Sequence, residues 1–252
     1  MAIIFTEGFD HYNTPSDFTM NGFTQDPLGS VTVDWGWSEG RFGYGRCYFA
    51  SDSYPAAYYP AQKNLSSNYT TVISGIAIKS ASSVPSLVFI ENDAGTYRTN
   101  VTVKFDADVG QIRVTDGAGT VHSSSMGLFN PNAWNYCEAK VVHNNTTGAV
   151  TVRINGVTVY TLTNIDTVAA SGHGYSNILR LGAGWNPSNA IGTSWFDDWY
   201  ACDDTGTGNN NFLGEQSIIT LFPTTAGSST NWTPQTSVTI PTTATVFDTN
   251  TF

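Results

Sequence analysis

The clearest pattern in the chain is an alternation of apolar and polar residues, and it is tightest between Val150 and Tyr160. Asn155 and Gly156 separate two alternating runs there, and Asn-Gly favours a two-residue β-hairpin turn because both residues tolerate positive φ. Such a turn would pair Ile154 with Val157 and Val152 with Val159. Period-2 alternation then predicts one apolar face made of Val150, Val152, Ile154, Val157 and Val159.

A second alternating run lies just upstream, from Trp134 to His143. The polar residues 144–148, which are Asn, Thr and Gly, separate it from the hairpin and favour a chain reversal. The three runs together predict a three-stranded antiparallel meander.

Similar short runs recur along the rest of the chain, separated by turn residues. They number roughly a dozen, which is too many for one open sheet and suits two stacked sheets. The pattern therefore predicts a jelly-roll sandwich. The runs outside the meander are residues 2–10, 31–37, 40–49, 71–79, 86–91, 100–105, 111–115, 177–182 and 194–202.

Composition supports an all-β chain and divides it in two. Only 12% of the 252 residues are charged, whereas 13% are aromatic and 24 are Gly, which suits short strands more than helices. Residues 1–202 are predicted to form the sandwich. From Asp203 onward the chain is rich in Gly, Asn and then Thr, and residues 203–252 are predicted to form an extended arm that packs on a neighbour. The alternative is a frayed tail with one strand folded back on its own domain.

Charge and cysteine content limit the possible partners. The net charge is −10 and no Lys or Arg follows Arg180, so no basic stripe is available for nucleic acid. No run of 18 apolar residues occurs and the start does not resemble a signal peptide, so neither membrane insertion nor Sec export is predicted. Three cysteines, Cys47, Cys137 and Cys202, lie in strand-like runs and are interpreted as buried thiols, with one disulfide as the alternative.

The order of these strand and turn patterns resembles the concanavalin A-like lectin/glucanase, or laminin-G-like, superfamily over about residues 1 to 202. The resemblance implies an all-β, two-sheet antiparallel jelly-roll sandwich, here followed by the C-terminal extended arm. It rests on Phe9-Asp10, Gly40-Arg41-Phe42-Gly43, Trp134-x-Tyr136-x-Glu138, Gly148-x-Val150-x-Val152-x-Ile154-Asn155-Gly156, Ile178-x-x-Leu181-Gly182 and Phe196-Asp197-Asp198-Trp199-Tyr200.

A narrower stretch, from Asp197 to Glu215 and on to Trp232-Thr233-Pro234, is similar to a segment of structural proteins of tailed bacteriophages and prophages. This resemblance implies a component of the virion surface, present in multiple copies and contacting capsid, tail or fibre proteins. The chain departs from that pattern after Pro234. The arm residues predicted to dock on a partner are Phe212, Leu213, Leu221, Phe222 and Trp232.

Candidate catalytic groups are sparse. Glucanases of the resembled superfamily carry Glu-x-Asp-x-Glu on one strand, and no such triplet occurs here. Asp197 and Asp198 are adjacent and are expected on opposite faces of a strand. Glu138 is a lone acid that we expect to pair with Lys140 or Arg153. Because no nucleophile elbow is present either, the chain is predicted not to be an enzyme.

Metal and cofactor chemistry is not predicted. Aspartates in turns could supply oxygens to Ca²⁺, but turns favour Asp without any ion. The weak calcium candidates are Asp106, Asp108, Asp197 and Asp198, with Asp116 as a further turn residue.

Aromatic side chains are the strongest remaining candidates for a binding role, since they can stack on sugar rings or anchor a protein interface. Trp185 is the best candidate because it lies in a Gly/Pro loop. The sequence thus favours a non-enzymatic virion surface protein that could also contact host-surface glycans. A carbohydrate-binding adhesion module is the alternative, and a glycoside hydrolase is a weaker one. The candidate binding residues are Trp35, Trp37, Tyr58, Tyr59 and Trp185.

Overall fold

The computed structural model describes residues 3–9, 19, 22–24, 32–34, 40–41, 47–51, 58–81, 83–184 and 192–218. The regular elements in this part are fifteen strands. In chain order they are β1 (Ile3–Glu7), β2 (Phe23–Thr24), β3 (Thr32–Asp34), β4 (Cys47–Ser51), β5 (Tyr58–Tyr69), β6 (Thr71–Ser80), β7 (Val84–Asp93), β8 (Thr96–Asp106), β9 (Gln111–Thr115), β10 (Val121–Ser123), β11 (Asn135–Val142), β12 (Gly148–Ile154), β13 (Val157–Ile165), β14 (Ser176–Gly184) and β15 (Gly192–Cys202).

These strands form two antiparallel sheets. Sheet A has eight strands in the order β13-β12-β11-β6-β15-β4-β3, with β1 also paired to β15. Sheet B has seven strands in the order β10-β9-β8-β7-β14-β5-β2. The two-sheet antiparallel sandwich that the sequence predicts is confirmed, and the predicted meander is β11-β12-β13.

The core lies between the sheets and follows the period-2 alternation of the strands. Sheet B contributes Leu87, Phe89 and Val103, and sheet A contributes Val152 and Trp199, all of them fully buried. Because every second residue faces the other way, each sheet also has an outer face, and these two faces differ in what covers them.

The Asn155-Gly156 turn forms as predicted, with positive φ at both residues and Ile154 opposite Val157. One residue further the register shifts, so that Val152 lies opposite Tyr160 and not Val159. The predicted Val152–Val159 pair is therefore wrong, because a β-bulge inserts an extra residue into β13. Val157 is also not a core residue, since it stands at the hairpin tip with 63% of its surface exposed.

A second bulge, in β15, changes the placement of two acids. Between the pairs Asp197–Ala77 and Tyr200–Gly75, β15 has one residue more than β6. Asp198 takes a positive φ of 51° there. Trp199 then points into the core while Tyr200 packs on the outer side of the sheet. Both aspartates therefore lie on the outer face of sheet A, and the prediction that they occupy opposite faces is wrong.

The first compact unit of the chain ends at Ile218 and so includes residues 203–218, whereas the sequence places the boundary after residue 202. No helix in the part of the chain that the structure describes is long and apolar enough to cross a membrane.

Candidate functional site

The outer face of sheet A is covered by residues 211–218, and we call it the closed face. Three backbone N–H groups of this segment donate to side chains of the sheet: Leu213 to the Tyr200 hydroxyl (3.1 Å), Gly214 to Glu138 Oε1 (2.9 Å) and Ile218 to Asp198 Oδ1 (2.6 Å). These bonds fasten the segment to its own sandwich. Apolar contacts accompany them: Phe212, Leu213 and Ile218 pack on a buried cluster of Ile73, Ala77, Tyr136, Tyr200 and Cys202.

Glu138 is the centre of the closed face and is fully buried. Its Oε1 accepts the Tyr200 hydroxyl at 2.5 Å, while Oε2 has no hydrogen-bond partner among the described residues. Arg153 places its guanidinium 4.2 Å from the centre of the Phe212 ring. The expected pairing of Glu138 with Lys140 or Arg153 is therefore wrong, since Tyr200 and Gly214 are its partners. Burial, and then the Glu138 carboxylate, raise the pKa values of Tyr136 and Tyr200.

Arg41 draws together the two aspartates of the β15 bulge. Its backbone N–H donates to Asp197 Oδ2 at 2.9 Å and its guanidinium lies 3.3 Å from Asp198 Oδ2. Burial raises the pKa of Asp198, against the lowering effect of the Ile218 N–H and of Arg41. Asp106, another calcium candidate, is bound by Arg113 at 2.6 Å and accepts the N–H of the exposed Asp108. Within the described ranges, no group of three or more His, Cys, Asp or Glu residues is arranged to hold a metal ion.

The outer face of sheet B carries polar side chains on its central and edge strands, and we call these the polar face. They alternate along each strand with core residues, as Lys104 does with Val103 and Phe105. Two rows cross the sheet in register: Gln62–Arg180–Val88–Thr102–Thr115 and Ser86–Lys104–Arg113. Val88, which belongs to the first row, forms a small buried apolar cluster with Ile90 and Ile178. The polar face is Gln62, Tyr97, Thr102, Lys104, Arg113, Thr115 and Arg180.

Lys104 and Arg113 are directly opposite each other on adjacent strands of this face. Like charges in that relation destabilise a sheet. Asp106 offsets the charge of Arg113, whose side chain is 41% exposed, but no ion pair joins Lys104 to any described residue. The pair therefore leaves an uncompensated positive charge on the surface of a chain whose net charge is −10.

Arg180 and Tyr97 extend the polar face across the sheet. The Arg180 Nε donates to Gln62 Oε1 at 2.6 Å, and the guanidinium lies 5.4 Å from the centre of the Tyr97 ring. Tyr97 is 54% exposed, so its ring offers an apolar surface beside a cation and two hydrogen-bonding groups. A sugar ring bearing a carboxylate needs this combination of stacking surface and positive charge.

An ordered histidine lies at one end of sheet B. His173 Nδ1 is 2.9 Å from Oε1 of the fully buried Glu91, and the His173 N–H donates to Oε2 at 2.8 Å. The imidazole is stacked on Tyr175, with 6.1 Å between ring centroids, and its side chain is 56% exposed. Arg98 lies 3.1 Å from the same Glu91 oxygen. Nδ1 is thus engaged, and no described residue bonds Nε2.

A second histidine is buried nearby and has a different environment. Both ring nitrogens of His143 are hydrogen-bonded. The Thr167 carbonyl is 3.0 Å from Nδ1, and the Ser176 hydroxyl is 2.9 Å from Nε2. A carbonyl can only accept, so Nδ1 carries the proton and Nε2 accepts from Ser176. Burial lowers the pKa of His143 to about 4, against the raising effects of Thr167 and Glu91. Ser176 is fully buried, so this pair connects strands inside the fold.

The residues singled out from the sequence are distributed unevenly over the structure. Tyr58 and Tyr59 begin β5 of sheet B, where the structure describes their backbone. Phe212 and Leu213 lie on the closed face of their own sandwich, so their docking on a partner stays a prediction. The remaining candidates, Trp35, Trp37, Trp185, Leu221, Phe222 and Trp232, are outside the described residues.

Sequence reasoning missed the polar face and the His173 cluster. Lys104, Arg113 and Arg180 occupy polar positions of strands that the alternation predicts, so their shared face was accessible in principle. What the sequence could not supply is the strand order β9-β8-β7-β14, which brings these three residues together from three separate strands. Similarly, 82 residues separate Glu91 from His173.

No protein-family model matches the chain, and no curated protein matches it. Solved structures do match. The endo-β-1,4-glucuronan lyase of the fungus Trichoderma reesei is 12% identical, with a TM-score of 0.56 over 79% of this chain and 94% of the lyase. A cellulose-induced protein, Cip1, is 11% identical, with a TM-score of 0.56 over 84% of this chain and 100% of that protein. Winged bean acidic lectin, complexed with methyl-α-D-galactose, is 11% identical, with a TM-score of 0.46 over 79% and 97%.

The two structures with a TM-score of 0.56 show a jelly-roll fold of the concanavalin A-like type, as the sequence resemblance implies. Of these proteins, the lyase is named for its action on a glucuronan, and the lectin is complexed with a galactoside. The lyase also overturns the prediction that the chain is not an enzyme. That prediction relied on a missing Glu-x-Asp-x-Glu triplet, and the same sandwich serves a lyase, so the missing triplet does not exclude catalysis.

Proposed function

We propose that this protein binds an acidic polysaccharide on the polar face of sheet B. The observation that carries the proposal is the cross-strand pair Lys104–Arg113, two cations held side by side without full compensation on an acidic protein. Such a pair is unfavourable in the empty protein and becomes favourable when an anion lies between the two side chains.

The chemistry of the neighbouring side chains specifies the ligand further. Tyr97 supplies a stacking surface, and Gln62 and Thr102 supply hydrogen-bonding groups along the same row. A chain of uronate sugars alternates apolar ring faces with carboxylates and hydroxyls, and it fits this arrangement. The glucuronan lyase, which shares the fold, is named for an acidic polysaccharide of this class.

The test is binding of polyglucuronate, with a neutral β-glucan as the comparison ligand. Lys104→Gln is expected to weaken binding to polyglucuronate by roughly tenfold or more, since a charge-assisted hydrogen bond contributes about 1.5–3 kcal/mol. Lys140→Gln removes the same charge from sheet A and should leave the affinity unchanged. Binding should also weaken as salt is added. Equal affinity for the neutral glucan, or equal loss in both variants, would refute the proposal.

A second candidate function, acid–base cleavage of the bound polysaccharide, is favoured by the His173 cluster. The Glu91 carboxylate fixes the imidazole through Nδ1 and leaves Nε2 without a partner among the described residues, and Arg98 places a positive charge beside it. A base in that position can remove the proton next to a uronate carboxylate, after which the C4–O bond breaks, a C4=C5 double bond forms and the leaving oxygen takes a proton.

Cleavage would appear as new ultraviolet absorbance from the unsaturated sugar. His173→Gln should abolish it while leaving polyglucuronate affinity intact, because His173 is not part of the polar face. His122→Gln is the matched control, because His122 lies on β10 and is paired with a different carboxylate, that of Asp116. If His173→Gln and wild-type protein release product at the same rate, His173 is not the base.

The setting we propose for this binding is the virion surface, which the sequence resemblance to tailed-phage structural proteins implies. A glycan-binding sandwich in multiple copies there would contact the host surface. Mass spectrometry of purified particles tests the location, and failure to find the chain in them would refute it without affecting the polysaccharide proposal.

A further inference from the structure

The loop that carries His173 is held at its base by a buried side chain. This loop comprises residues 166–175, between the end of β13 and the start of β14, and we call it the His173 loop. His143 joins its two ends, because the ring binds the Thr167 carbonyl at one end and the Ser176 hydroxyl at the other. These contacts fix the base of the loop and lie several residues away from the imidazole that it carries.

Asn100 provides a second bridge, closer to His173. Its Oδ1 accepts the Ala169 N–H at 2.9 Å, and its Nδ2 donates to the Tyr175 carbonyl at 2.7 Å. The two backbone groups stand on opposite limbs of the loop, with His173 between them. Because Asn100 is fully buried, both hydrogen bonds are shielded from water. One amide thus closes the loop around the residue that is proposed as the base.

A β-bulge in β8 directs Asn100 to the loop. Its neighbours Thr99 and Val101 pair with consecutive residues of β7, so Asn100 is the extra residue of the bulged strand. Bulges often re-aim a side chain next to a functional site. Here the bulge keeps Val101 in the core while the amide of Asn100 reaches the loop backbone.

The two limbs connect Asn100 to the imidazole by short paths. Tyr175, whose carbonyl accepts from Asn100, stacks its own ring on His173 with 6.1 Å between the centroids. On the other limb, the Gly172 N–H donates to the Ala169 carbonyl at 2.7 Å. A turn therefore leads from the residue that Asn100 binds directly to His173.

Glu91 receives the imidazole at the end of these paths. Its Oε2 accepts the backbone N–H of His173 at 2.8 Å, and its Oε1 lies 2.9 Å from Nδ1. A Cβ at Gly172 would lie 3.1 Å from the same Oε2, so the loop backbone runs close to the carboxylate. The His173 side chain is 56% exposed, so its orientation depends on these bonds more than on packing.

We propose that Asn100 is a positioning residue for His173. By bridging both limbs of the His173 loop, it keeps the imidazole on Glu91. The catalytic consequence rests on the proposed cleavage function, in which a displacement of about 1 Å can cost roughly a hundredfold in rate. The placement of the imidazole itself depends on no ligand and no reaction.

Hydrogen exchange of single backbone amides, followed by NMR, tests the placement without a substrate. Asn100→Leu removes both contacts at a similar side-chain volume. The His173 N–H, which Asn100 does not touch, should then exchange at least about tenfold faster, because opening the loop no longer breaks two buried hydrogen bonds.

Asn135→Leu is the matched control. Asn135 is also buried, and its amide binds the backbone of Asn130 and Ala133 in the same manner. It begins β11, whose other end contacts the His173 loop. Exchange at His173 should therefore stay at the wild-type rate in this variant. Asn100→Ser and Asn135→Ser, in which water can replace the lost amide, repeat the comparison if either Leu variant does not fold.

Cleavage of polyglucuronate by the same proteins is the second measurement. Asn100→Leu should lower kcat by about tenfold or more and leave KM and the polyglucuronate affinity unchanged, because the polar face is intact. A role in stability alone would leave kcat of the folded protein at the wild-type value, which is the result expected for Asn135→Leu.

Unchanged exchange at His173 in Asn100→Leu would overturn the proposal, and so would faster exchange with an unchanged kcat. Equal acceleration in Asn135→Leu would also overturn it, since the whole sandwich would then have loosened. A wild-type protein that cleaves no polyglucuronate would refute His173 as a base, and the exchange rates would then decide the placement by themselves.

Discussion

The two outer faces of the sandwich contain similar chemical groups but use them differently. On the closed face, Glu138, Asp198 and Tyr200 accept or donate hydrogen bonds within the chain and are buried under residues 211–218. On the polar face, Lys104 and Arg113 stand side by side, and in the part of the chain that the structure describes only Asp106 offsets their charge. The comparison teaches that a polar group in this fold stabilises the chain where its hydrogen-bond or ion-pair partners belong to the same chain. Where such partners are incomplete, the group is available for a ligand.

Substitution of Gly75 is expected to have the largest effect, because this residue lets Tyr200 lie flat on the closed face. A Cβ at position 75 would lie 2.2 Å from Tyr200 Cε1, and the Tyr200 ring is fully buried. Gly75→Ala should lower the free energy of unfolding by about 3 kcal/mol. Gly208→Ala, where an added Cβ meets nothing within 4 Å, is the control. Urea unfolding measures both, and equal stability would show that the ring can move aside.

Acid should destabilise the protein through His143, the buried histidine between the two sheets. Its folded pKa of about 4 is below the ordinary 6.5, so the unfolded chain binds the proton more tightly. Protonation of this histidine therefore costs no stability above pH 6.5, and the free energy of unfolding falls progressively as the pH drops towards 4. The total loss would be up to about 3 kcal/mol.

Unfolding free energies at pH 7 and pH 4.5 measure that loss, and His143→Gln is the comparison protein. The amide does not titrate, so the variant should lose less stability over the same interval. If the two proteins lose equal amounts, the acid sensitivity comes from other groups.

Tyr200→Phe isolates the hydrogen bonds of the closed face. The hydroxyl donates to Glu138 and accepts from the Leu213 N–H, and its removal leaves a buried carboxylate with the Gly214 N–H as its one remaining partner among the described residues. The expected cost is about 2 kcal/mol. Tyr97→Phe makes the same change on the exposed polar face and should alter stability by less than about 0.5 kcal/mol. Equal costs at the two positions would contradict the distinction between the faces.

Removing Lys104 should have the smallest effect on stability and the opposite sign. Because Lys104 lies opposite Arg113, Lys104→Gln should raise the free energy of unfolding by up to about 0.5 kcal/mol at low ionic strength, and the gain should vanish in high salt. Lys140→Gln, on sheet A, should show no such salt-dependent gain. A loss of stability in Lys104→Gln would mean that the lysine is compensated in the folded protein.

Local patterns predict the strands well where one face is buried. Gln111–Thr115 is found with the predicted bounds, and the Asn155-Gly156 hairpin forms at the predicted turn. The prediction is poorer for β5 (Tyr58–Tyr69), which is not among the predicted runs. Residues 64–68, Asn-Leu-Ser-Ser-Asn, have the composition of a turn, and the pairing of β5 with β14 is irregular there, since β14 pairs with Asn64 and then with Tyr69.

The sequence by itself determined the fold class, because alternation with a period of two and glycine-rich turns suit stacked antiparallel sheets and little else. Only the tertiary structure decided which polar residues share a face. Strand order places Lys104 beside Arg113 and Glu91 beside His173, and a single bulged residue in β15 turns Asp198 onto the same side as Asp197. The physical reason is that a strand pattern fixes the direction of a side chain relative to its own neighbours, whereas the partner strand is selected by packing over the whole chain.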